Sequence, residues 1–361
     1  MPTKDDLKLF QSYPLDLKIK KSIIRIREWY RYWDGNVAVS FSGGKDSTVL
    51  LHMVRSIYPD VPAVYADTGL EFPDLKQNVK NFDNVITVRP KVSFYQMLRE
   101  RGYPLISKEV ASAVSSVWKQ IERGHAREGK DYHQSRDYKR LHALGNYAPV
   151  NGKRNPYDIS KYRPLLTDVD FLITERCCDI IKEKPLYDYE KEHNVKFYVA
   201  TMTHESQRRK TSWLAYGCNI FEGVRPMSKP MSFWLETDVL EYIKRYNLPL
   251  ARPYGEIVPC KDGLCTTGAD RTGCIFCGFG AHLEKGNRFK MLYHLERRLY
   301  DYCIGGGEYN ADGIWIPSQK GLGFGHVYDV LNSIYGENFI RYKPEQWEEN
   351  NNGIFRQSSQ Y

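Results

Sequence analysis

The first part of the chain alternates between an amphipathic segment and short apolar runs. Residues 15–33 place apolar side chains at helical spacing with basic residues between them, which predicts an amphipathic helix. The apolar runs at 36–41, 61–67 and 85–88 have the length and composition of buried strands. A helical pattern over 48–58 separates the first two of these strands. This alternation predicts an α/β fold in which helices cover a parallel sheet.

The rest of the chain is organised less regularly. Residues 119–161 are polar, basic and rich in tyrosine, and they predict a helical or loop insertion. A strand is predicted at 196–201 and a helix at 236–247, whereas glycine and cysteine dominate 254–280 and predict a loop. The predicted organisation is an N-terminal helix over 1–35, a main domain over 36–250 and a Cys-rich, helical C-terminal segment over 251–361.

Composition limits the location and the partners. No apolar run in the 361 residues approaches the roughly 20 residues that cross a bilayer, and the charged N-terminus lacks the apolar stretch of a secretory signal. The sequence therefore predicts a cytoplasmic protein without a membrane partner, whose eight cysteines stay reduced and serve metal binding or catalysis. The formal net charge of +8 favours acidic partners such as nucleotides or nucleic acid, although solubility alone also explains it.

A glycine pair follows the first predicted strand, in the sequence SGGKDST at 42–48. Glycines let the backbone approach phosphate oxygens, and the N-terminus of the next helix presents free N–H groups to an anion. Lys45 adds a positive charge, and the hydroxyls of Ser47 and Thr48 add donors. The glycine spacing differs from the G-x-x-x-x-G-K-[ST] loop of many ATPases. We predict a phosphate-binding loop at these residues.

Three segments carry a resemblance to a known family. The sequence SGGKDS resembles the pyrophosphate loop (PP-loop) of the adenine nucleotide α-hydrolase superfamily, which includes ATP pyrophosphatases, tRNA thiolation enzymes and sulfonucleotide reductases. ADTGLEFP at 66–73 resembles the D-T-G-x-x-F-P segment of the phosphoadenosine phosphosulfate reductase family, and GYPLISKE at 102–109 resembles a segment near its sulfonucleotide site. The resemblance implies a Rossmann-like doubly wound parallel sheet that binds ATP or an adenosine phosphosulfate, with Mg²⁺ assisting.

This resemblance and the chemistry of the side chains together define a candidate nucleotide site. Its predicted members are Ser40, Ser42, Gly43, Gly44, Lys45, Asp46, Ser47, Thr48, Asp67, Lys108 and Arg209. Lys45, Asp46 and Ser47 are the predicted catalytic residues. Asp67 ends the second strand and either faces the adenosine or Mg²⁺ or serves a turn. The guanidinium of Arg209 suits a phosphate, although a solvated helix face explains this residue equally well.

The cysteines form two overlapping sets of candidate metal ligands. An adjacent pair followed far downstream by C-x-x-C resembles the [4Fe–4S] pattern of assimilatory adenylyl-sulfate reductases, with Cys177, Cys178, Cys274 and Cys277 as the implied ligands. Four thiolates also suit tetrahedral zinc. Cys218 is a candidate to replace one member of the pair. A compact C-x4-C-x8-C-x2-C set that begins with Cys260 and Cys265 is similar to DNA phosphorothioation enzymes of the same superfamily.

Two departures from the reductase pattern affect the functional prediction. Sulfonucleotide reductases carry a catalytic cysteine in a C-terminal tail, but residues 349–361 contain none, and the nearest candidate is Cys303. The reductases also have a Gly-x-Arg segment that binds the anionic substrate, where this chain has Met202 and Thr203. A fourth segment that agrees with the family, WLETDV at 234–239, resembles one of its helix starts and is interpreted as structural capping.

These departures leave three functional hypotheses. The first is an ATP pyrophosphatase that adenylates an acceptor, with nucleic acid as one predicted acceptor, and transfers sulfur to it through the iron–sulfur cluster. A sulfur-donor protein is then a predicted partner. The second is an adenylyl-sulfate or phosphoadenylyl-sulfate reductase that uses Cys303 or an external, thioredoxin-like thiol. The third is a non-catalytic regulator that binds nucleotide and cluster. The missing tail cysteine favours the first or the third hypothesis over the second, and the intact loop favours catalysis over a regulatory role.

Overall fold

A computed structural model describes residues 2–123, 131–261, 263–284 and 287–347. The chain forms two compact units and passes between them. One unit contains the residues up to Lys91 together with Ile181–Cys274, and the other contains Val92–Ile180 and the described residues from Ile275 onward. The tail at 349–361 and part of the basic insertion, 124–130, lie outside the described residues. The candidate phosphate loop belongs to the first unit.

Two helices precede the first strand, after which strands and helices alternate up to residue 122. The strands are β1 (Val37–Phe41), β2 (Ala63–Ala66), β3 (Val85–Val88), β4 (Leu105–Ile106), β5 (Lys196–Val199), β6 (Asn219–Ile220), β7 (Met227–Ser228), β8 (Ile257–Cys260), β9 (Gly263–Thr266), β10 (Gly278–Phe279), β11 (Glu308–Tyr309) and β12 (Trp315–Ile316). The α-helices are α1 (Lys4–Gln11), α2 (Leu15–Tyr32), α3 (Lys45–Arg55), α4 (Pro73–Lys80), α5 (Phe94–Arg101), α6 (Lys108–Glu122), α7 (Arg136–Leu141), α8 (Lys184–Glu192), α9 (Gln207–Tyr216), α10 (Glu236–Tyr246), α11 (Asn287–Leu295), α12 (Arg297–Ile304) and α13 (Phe324–Tyr335).

The first unit is built on a six-stranded sheet with the order β3-β2-β1-β5-β7-β6. The strands from β3 to β7 run parallel, and β6 pairs antiparallel with β7 at the edge. Ser40 of β1 lies beside Val64 of β2 and Val199 of β5. The chain leaves β1 toward β2 on one side and later returns as β5 on the other. In open α/β sheets, ligands bind at this reversal of strand order, beyond the carboxyl ends of the strands.

Alternation along β1 shows why both faces of the sheet are covered. Val37, Val39 and Phe41 join the larger apolar core, which also contains buried side chains of α2, α3 and α10. Ala38 points to the opposite face, where it packs in a smaller cluster with Leu186 of α8. Successive side chains of a strand point to opposite faces, so an apolar run with no polar alternation must be buried on both. The predicted doubly wound α/β sheet is confirmed.

The region predicted as a Gly- and Cys-rich loop contains a β-hairpin. Strands β8 and β9 pair antiparallel, with Val258 opposite Cys265 and Cys260 opposite Gly263. This hairpin was not predicted from the sequence. Pro259 is unusual within a strand, and the apolar segments are too short to show the alternation of apolar and polar residues that is typical of one. A proline is tolerated here because the hairpin has only two strands, each with a free edge. The finding matters because the hairpin belongs to the same unit as the phosphate loop.

The second unit contains the remaining short strands and the C-terminal helices. Strand β4 pairs parallel with β10, and β11 pairs antiparallel with β12. Tyr103 is fully buried, donates a hydrogen bond to the carbonyl of Leu322 at 2.8 Å and packs edge-on against Phe324. Among the residues that the structure describes, no helix combines the length and apolar character that a bilayer crossing requires.

Candidate functional site

The loop that follows β1 is shaped by its own hydroxyl groups. The backbone N–H of Ser42 donates to Oγ of Ser47 at 3.1 Å, and the two hydroxyls lie 3.0 Å apart. Oγ of Ser47 also donates to the carbonyl of Gly44 at 2.9 Å. These contacts fold the backbone into a compact turn at the N-terminus of α3. The N-cap residue Gly44 provides no side-chain cap for this helix, and N–H groups at such a helix start are suited to bind an anion.

Each of the two glycines of the loop is needed as a glycine for a different structural reason. Gly43 has φ of +72°, and an added Cβ would lie 2.7 Å from the carbonyl oxygen of Leu75. The carbonyl of Gly43 also accepts a hydrogen bond from the buried side chain of Asn78 at 2.8 Å. An added Cβ on Gly44 would lie 2.9 Å from the hydroxyl of Tyr254. The backbone is thus held against α4 on one side and approached closely by Tyr254 on the other.

Lys45 is the electrostatic centre of the candidate site. Its side chain is only 2% exposed, and its Nζ lies 2.6 Å from the carbonyl oxygen of Asp270 and 3.0 Å from Oε1 of Glu236. Asp46 is a further partner at 3.6 Å. Burial disfavours the charge, but the influence of the neighbouring Asp46, Tyr254 and Glu236 outweighs it, so the pKa of Lys45 is raised. Lys45 therefore stays charged although it is buried.

A second segment of the first unit lies against the loop. The backbone N–H of Lys45 donates to the hydroxyl of Tyr254 at 3.4 Å, and that hydroxyl lies 2.8 Å from Oγ1 of Thr272. Together with the carbonyl of Asp270, these contacts occupy a helix-terminal amide and the lysine ammonium. Both groups are ones that a phosphate would bind. Tyr254 and Asp270 therefore stand in for part of an anion in this state of the molecule.

A group of charged side chains lies beside the loop and includes the predicted residue Arg209. Arg209 of α9 forms an ion pair with Glu205, which also accepts from Arg271 at 2.6 Å. Burial and the neighbouring Arg271 lower the pKa of Arg209 to about 10, whereas Asp46 acts in the opposite direction. Burial, Arg209 and Arg208 likewise lower the pKa of Lys229. The cations outnumber Glu205 here, and such an excess suits an anionic ligand.

The remaining predicted nucleotide residues occupy different surroundings. Ser40 lies in β1, and Thr48 is fully buried in the first turn of α3. Asp67 follows β2 and pairs with Lys76 at 2.6 Å and with Arg89 at 3.2 Å. Burial raises the pKa of Asp67, but the bonds from these two cations outweigh it, so the net pKa is lowered. Lys108 belongs to the second unit, where its Nζ lies 3.8 Å from Asp179.

Among the predicted metal ligands, Cys274 belongs to the first unit, whereas Cys177, Cys178 and Cys277 belong to the second. Cys177 is buried, and the other three are partly exposed. Within the described ranges, no group of three or more His, Cys, Asp or Glu side chains is arranged to hold a metal ion. The cluster and its ligand set stay a prediction.

The cysteines considered as alternative metal ligands or as the nucleophile have different surroundings from one another. Cys260 and Cys265 form a disulfide across the hairpin, so in this state their sulfurs are not the thiolates that a metal requires. Burial raises the pKa of Cys218 and of Cys303, and Cys303 has no exposed surface. A buried thiol with a raised pKa is a poor nucleophile. Cys303 therefore does not suit the role of an attacking thiol.

Glu236 is the site residue that the sequence analysis assigned to capping alone. The structure confirms a capping role for Asp238, whose carboxylate accepts from the N–H of Leu235 at 2.6 Å. Glu236 instead reaches Lys45, and burial raises its pKa more than Lys45 lowers it. A helix start with two acidic side chains needs only one for its cap, so the surplus carboxylate was an available signal. No local pattern pointed to Tyr254 or Asp270.

Comparison with known proteins supports the family resemblance. The family model of the phosphoadenosine phosphosulfate reductase domain matches residues 36–155, which begin just before β1 and include the phosphate loop. The resemblance inferred from the sequence is confirmed for this segment. The match accounts for a third of the chain and leaves out the residues that surround Lys45 from α10 and from the hairpin region.

Individual relatives are similar over limited parts of the chain. An uncharacterised protein of Methanocaldococcus jannaschii is 35% identical over 24% of this chain and 22% of its own length. A phosphoadenosine 5'-phosphosulfate reductase of Photobacterium profundum is 24% identical over 59% of this chain and 60% of its own length. A solved phosphoadenylyl-sulfate reductase from Candida auris, in a phosphate complex, shares 13% identity and covers 70% of this chain and 90% of its own, with a TM-score of 0.35. The chain spans less than two thirds of both curated relatives.

Proposed function

We propose that this protein, whose residues 36–155 match the phosphoadenosine phosphosulfate reductase domain, binds an adenosine phosphosulfate and reduces its sulfur. The observation that carries the proposal is the buried, charged Lys45 at the uncapped N-terminus of α3. This arrangement binds phosphates through main-chain N–H groups and one ammonium. It lies at the carboxyl end of β1, where strand order reverses.

The residues of the loop have complementary roles in the proposed reaction. Lys45 and the amides of α3 hold the α-phosphate, and they stabilise the charge that grows on this phosphate as the bond to sulfur breaks. Ser47 keeps the turn in shape through its bonds to Ser42 and Gly44. Arg209 and Arg271 add positive charge for the sulfonate or for a second phosphate. These side chains bind and orient the substrate and do not themselves supply electrons.

The electrons come from a thiol outside the described site. A thiolate attacks the sulfonate sulfur, the nucleotide leaves with its phosphate oxygen, and a thiosulfonate remains on the attacking sulfur. A second thiol then attacks this sulfur, so that sulfite leaves and a disulfide forms. The two thiols lose two electrons, which equals the two-electron reduction of sulfate to sulfite. Because Cys303 is buried, we assign both thiols to an external, thioredoxin-like dithiol.

Turnover tests this proposal directly. The purified protein is incubated separately with adenylyl sulfate and phosphoadenylyl sulfate in the presence of reduced thioredoxin, and sulfite is measured. Sulfite release from one of the two, lost in the Lys45→Ala variant, is the expected result. Binding of both nucleotides without sulfite release would contradict the proposal and support a regulator instead. A preference between the substrates would identify the role of the arginines beside the loop.

The burial of Cys303 is also the observation that favours a second candidate function. An ATP pyrophosphatase that adenylates an acceptor and leaves sulfur delivery to a partner needs no nucleophilic thiol in this unit. The same loop would bind the pyrophosphate, with Mg²⁺ neutralising charge on its oxygens. The basic insertion, of which α7 is a described part, would receive a nucleic-acid acceptor. Release of pyrophosphate from ATP without sulfite from either sulfonucleotide would establish this function.

The iron–sulfur cluster predicted from the cysteines is not part of the proposed reaction and is tested separately. Within the described ranges no ligand group of three or more such side chains is formed, and the ligand set Cys177, Cys178, Cys274 and Cys277 stays a prediction. No step of either reaction is therefore assigned to it. Anaerobic purification followed by iron, sulfide and zinc analysis tests the prediction. About four iron and four sulfide per chain is the expected result for a [4Fe–4S] cluster.

A charge change at Glu236 is expected to alter the pH dependence of binding. Its carboxylate competes with substrate for Lys45, and its pKa is raised by burial. Protonation removes the competitor, so affinity for adenylyl sulfate is expected to rise as the pH falls from neutral toward this raised pKa. Glu236→Gln is expected to bind about fivefold more tightly at neutral pH and to lose this pH dependence. Calorimetric titrations across the pH range measure both effects.

The control for this experiment is Glu241→Gln, which changes an exposed carboxylate on the same helix that pairs with Arg245. Its affinity and pH dependence are expected to match those of the wild type. An unchanged pH dependence in Glu236→Gln would show that Glu236 does not compete with the ligand. Adenylyl sulfate is the suitable probe because its phosphosulfate group does not titrate in this pH range.

A further inference from the structure

The residues that occupy the phosphate loop belong to one ribbon of the first unit. This cover ribbon consists of residues 253–261 and 263–272, with the β8–β9 hairpin at its far end. At its base, Tyr254 accepts from the N–H of Lys45, and the carbonyl of Asp270 accepts from the ammonium of Lys45. Residues at both ends of the ribbon therefore contact the same lysine.

The base of the ribbon is connected to the hairpin by a continuous ladder. Thr267 donates to the carbonyl of Glu256 at 2.9 Å, and Gly268 donates to the carbonyl of Tyr254 at 2.9 Å. These bonds continue the pairing of β8 with β9 to the residues that contact the loop. Any change that loosens the hairpin is therefore transmitted to Tyr254. The ribbon is held to α10 by a bond of 3.3 Å from the N–H of Leu264 to Thr237.

A disulfide closes the far end of the ribbon. Cys260 and Cys265 are bonded across the hairpin, with Cα atoms 6.0 Å apart. Cys260 is exposed, so a reductant has access to the bond. Ile257 and Leu264 of the hairpin pack against the apolar core, but the ribbon has only two strands, and a cross-link stabilises such a ribbon chiefly by restricting its open state. The disulfide therefore lies where it can control how often the ribbon opens away from the phosphate loop.

We propose that Cys260 and Cys265 form a thiol–disulfide switch that controls access of the nucleotide to the phosphate loop. In the oxidised form the ribbon stays closed, and Tyr254 and Asp270 occupy groups that the phosphates need. In the reduced form the ribbon opens more often, and the loop becomes free. The inference rests on the proposed function only for the identity of the ligand, an adenine nucleotide.

The switch needs a dithiol as its reductant, and the electron balance is simple. A thiolate of the reductant attacks one sulfur of the Cys260–Cys265 bond, and the other cysteine leaves as a thiolate. The second thiol of the reductant resolves the mixed disulfide. Two electrons and two protons reach the protein, and the reductant leaves as a disulfide. Dithiothreitol supplies this chemistry in the test, and oxidised glutathione supplies the reverse step.

Hydrogen exchange of the phosphate loop measures the switch without any ligand. Full-length protein is exchanged in its oxidised form and after reduction with dithiothreitol, and the peptide that contains Gly44–Ser47 is followed by mass spectrometry. Reduction is expected to speed exchange of this peptide by roughly tenfold, in line with the effect of closing a short loop. The peptide that covers β11 and β12 contains no cysteine and is expected to stay unchanged.

Two variants test the contributions of the two ends of the ribbon separately. Cys260→Ser with Cys265→Ser is expected to exchange at the reduced rate under both conditions. Tyr254→Phe lacks the hydroxyl on Lys45 and is expected to exchange faster even when oxidised. Equal exchange of the oxidised and reduced wild type would overturn the inference, and no variant is needed for that result.

Nucleotide binding in the same two states distinguishes this inference from the proposed function. Affinity for adenosine 3',5'-bisphosphate is expected to be several-fold higher after reduction. If exchange responds to reduction but the nucleotide binds in neither state, the proposed function fails and the switch stands. If the nucleotide binds equally in both states and exchange is unchanged, the switch fails and the proposed function stands.

Discussion

Replacing Lys45 by alanine is expected to weaken the binding of every adenine nucleotide by about 100-fold, which corresponds to roughly 2.7 kcal/mol. The change removes the ammonium of Lys45 from the start of α3, so the α-phosphate keeps the main-chain N–H groups but loses its charged donor. Because Lys45 is 2% exposed, its bonds to phosphate form in a site with little water and are correspondingly strong. Isothermal titration with adenylyl sulfate and with ATP measures the loss.

Loss of Lys45 also leaves the half-buried Glu236 without its cation, so instability has to be separated from lost affinity. The double variant Lys45→Ala with Glu236→Gln removes both charges and is expected to regain stability but not affinity. Lys8→Ala, on an exposed side chain of α1, is the matched control and is expected to bind as the wild type does. Wild-type affinity in a folded Lys45→Ala variant would show that the nucleotide binds elsewhere.

The position of the loop was predictable from the sequence because its signals are local. Gly43, Gly44 and Lys45 follow directly on an apolar strand and precede a helical pattern, and the structure has β1 and α3 in those places. The alternation of strands and helices then required a parallel sheet. The central place of β1 follows from the same rule, since a crossover on each side of the first strand puts a reversal of order at its end.

The surroundings of Lys45 were not predictable in the same way. Glu236, Tyr254 and Asp270 lie about 190 to 225 residues away along the chain and belong to a helix start and to the ends of a ribbon. One of the contacts is a main-chain carbonyl, which carries no residue signature at all. Local periodicity contains no information on such pairs, because they form only when the sheet has brought distant segments together. The loop therefore lies between the strand and the helix that were predicted, whereas these distant neighbours of Lys45 were not predicted.

For two of the cysteines, the residues were recognised as candidates from the sequence, but their pairing with each other was not predicted. Cys260 and Cys265 were considered only as metal ligands, since a cytoplasmic location argues against stable disulfides. The structure pairs them across a hairpin whose strands had not been predicted. Antiparallel pairing, and not spacing along the sequence, brings these two side chains together. A disulfide in a reducing compartment is usually a redox device, so the predicted location and the pairing are compatible if the pair cycles.

Replacing Asp238 by alanine is expected to lower the free energy of unfolding by about 3–5 kcal/mol. Its carboxylate lies 2.6 Å from Nζ of Lys18, and both side chains are buried, at 8% and 2% exposure. The same carboxylate caps α10 at Leu235. Alanine therefore leaves a buried ammonium without a partner and a helix start without its acceptor. Urea denaturation followed by circular dichroism measures the change.

The same two helices supply the control, because Asp16 of α2 forms an exposed ion pair with Arg245 of α10. Asp16→Ala is expected to lower the free energy of unfolding by no more than about 1 kcal/mol, since solvent screens that pair. Asp238→Asn keeps an acceptor for the cap but loses the charge, so its stability is expected to fall between those of the two alanine variants. Equal losses in both alanine variants would show that the Lys18 charge is not buried in solution.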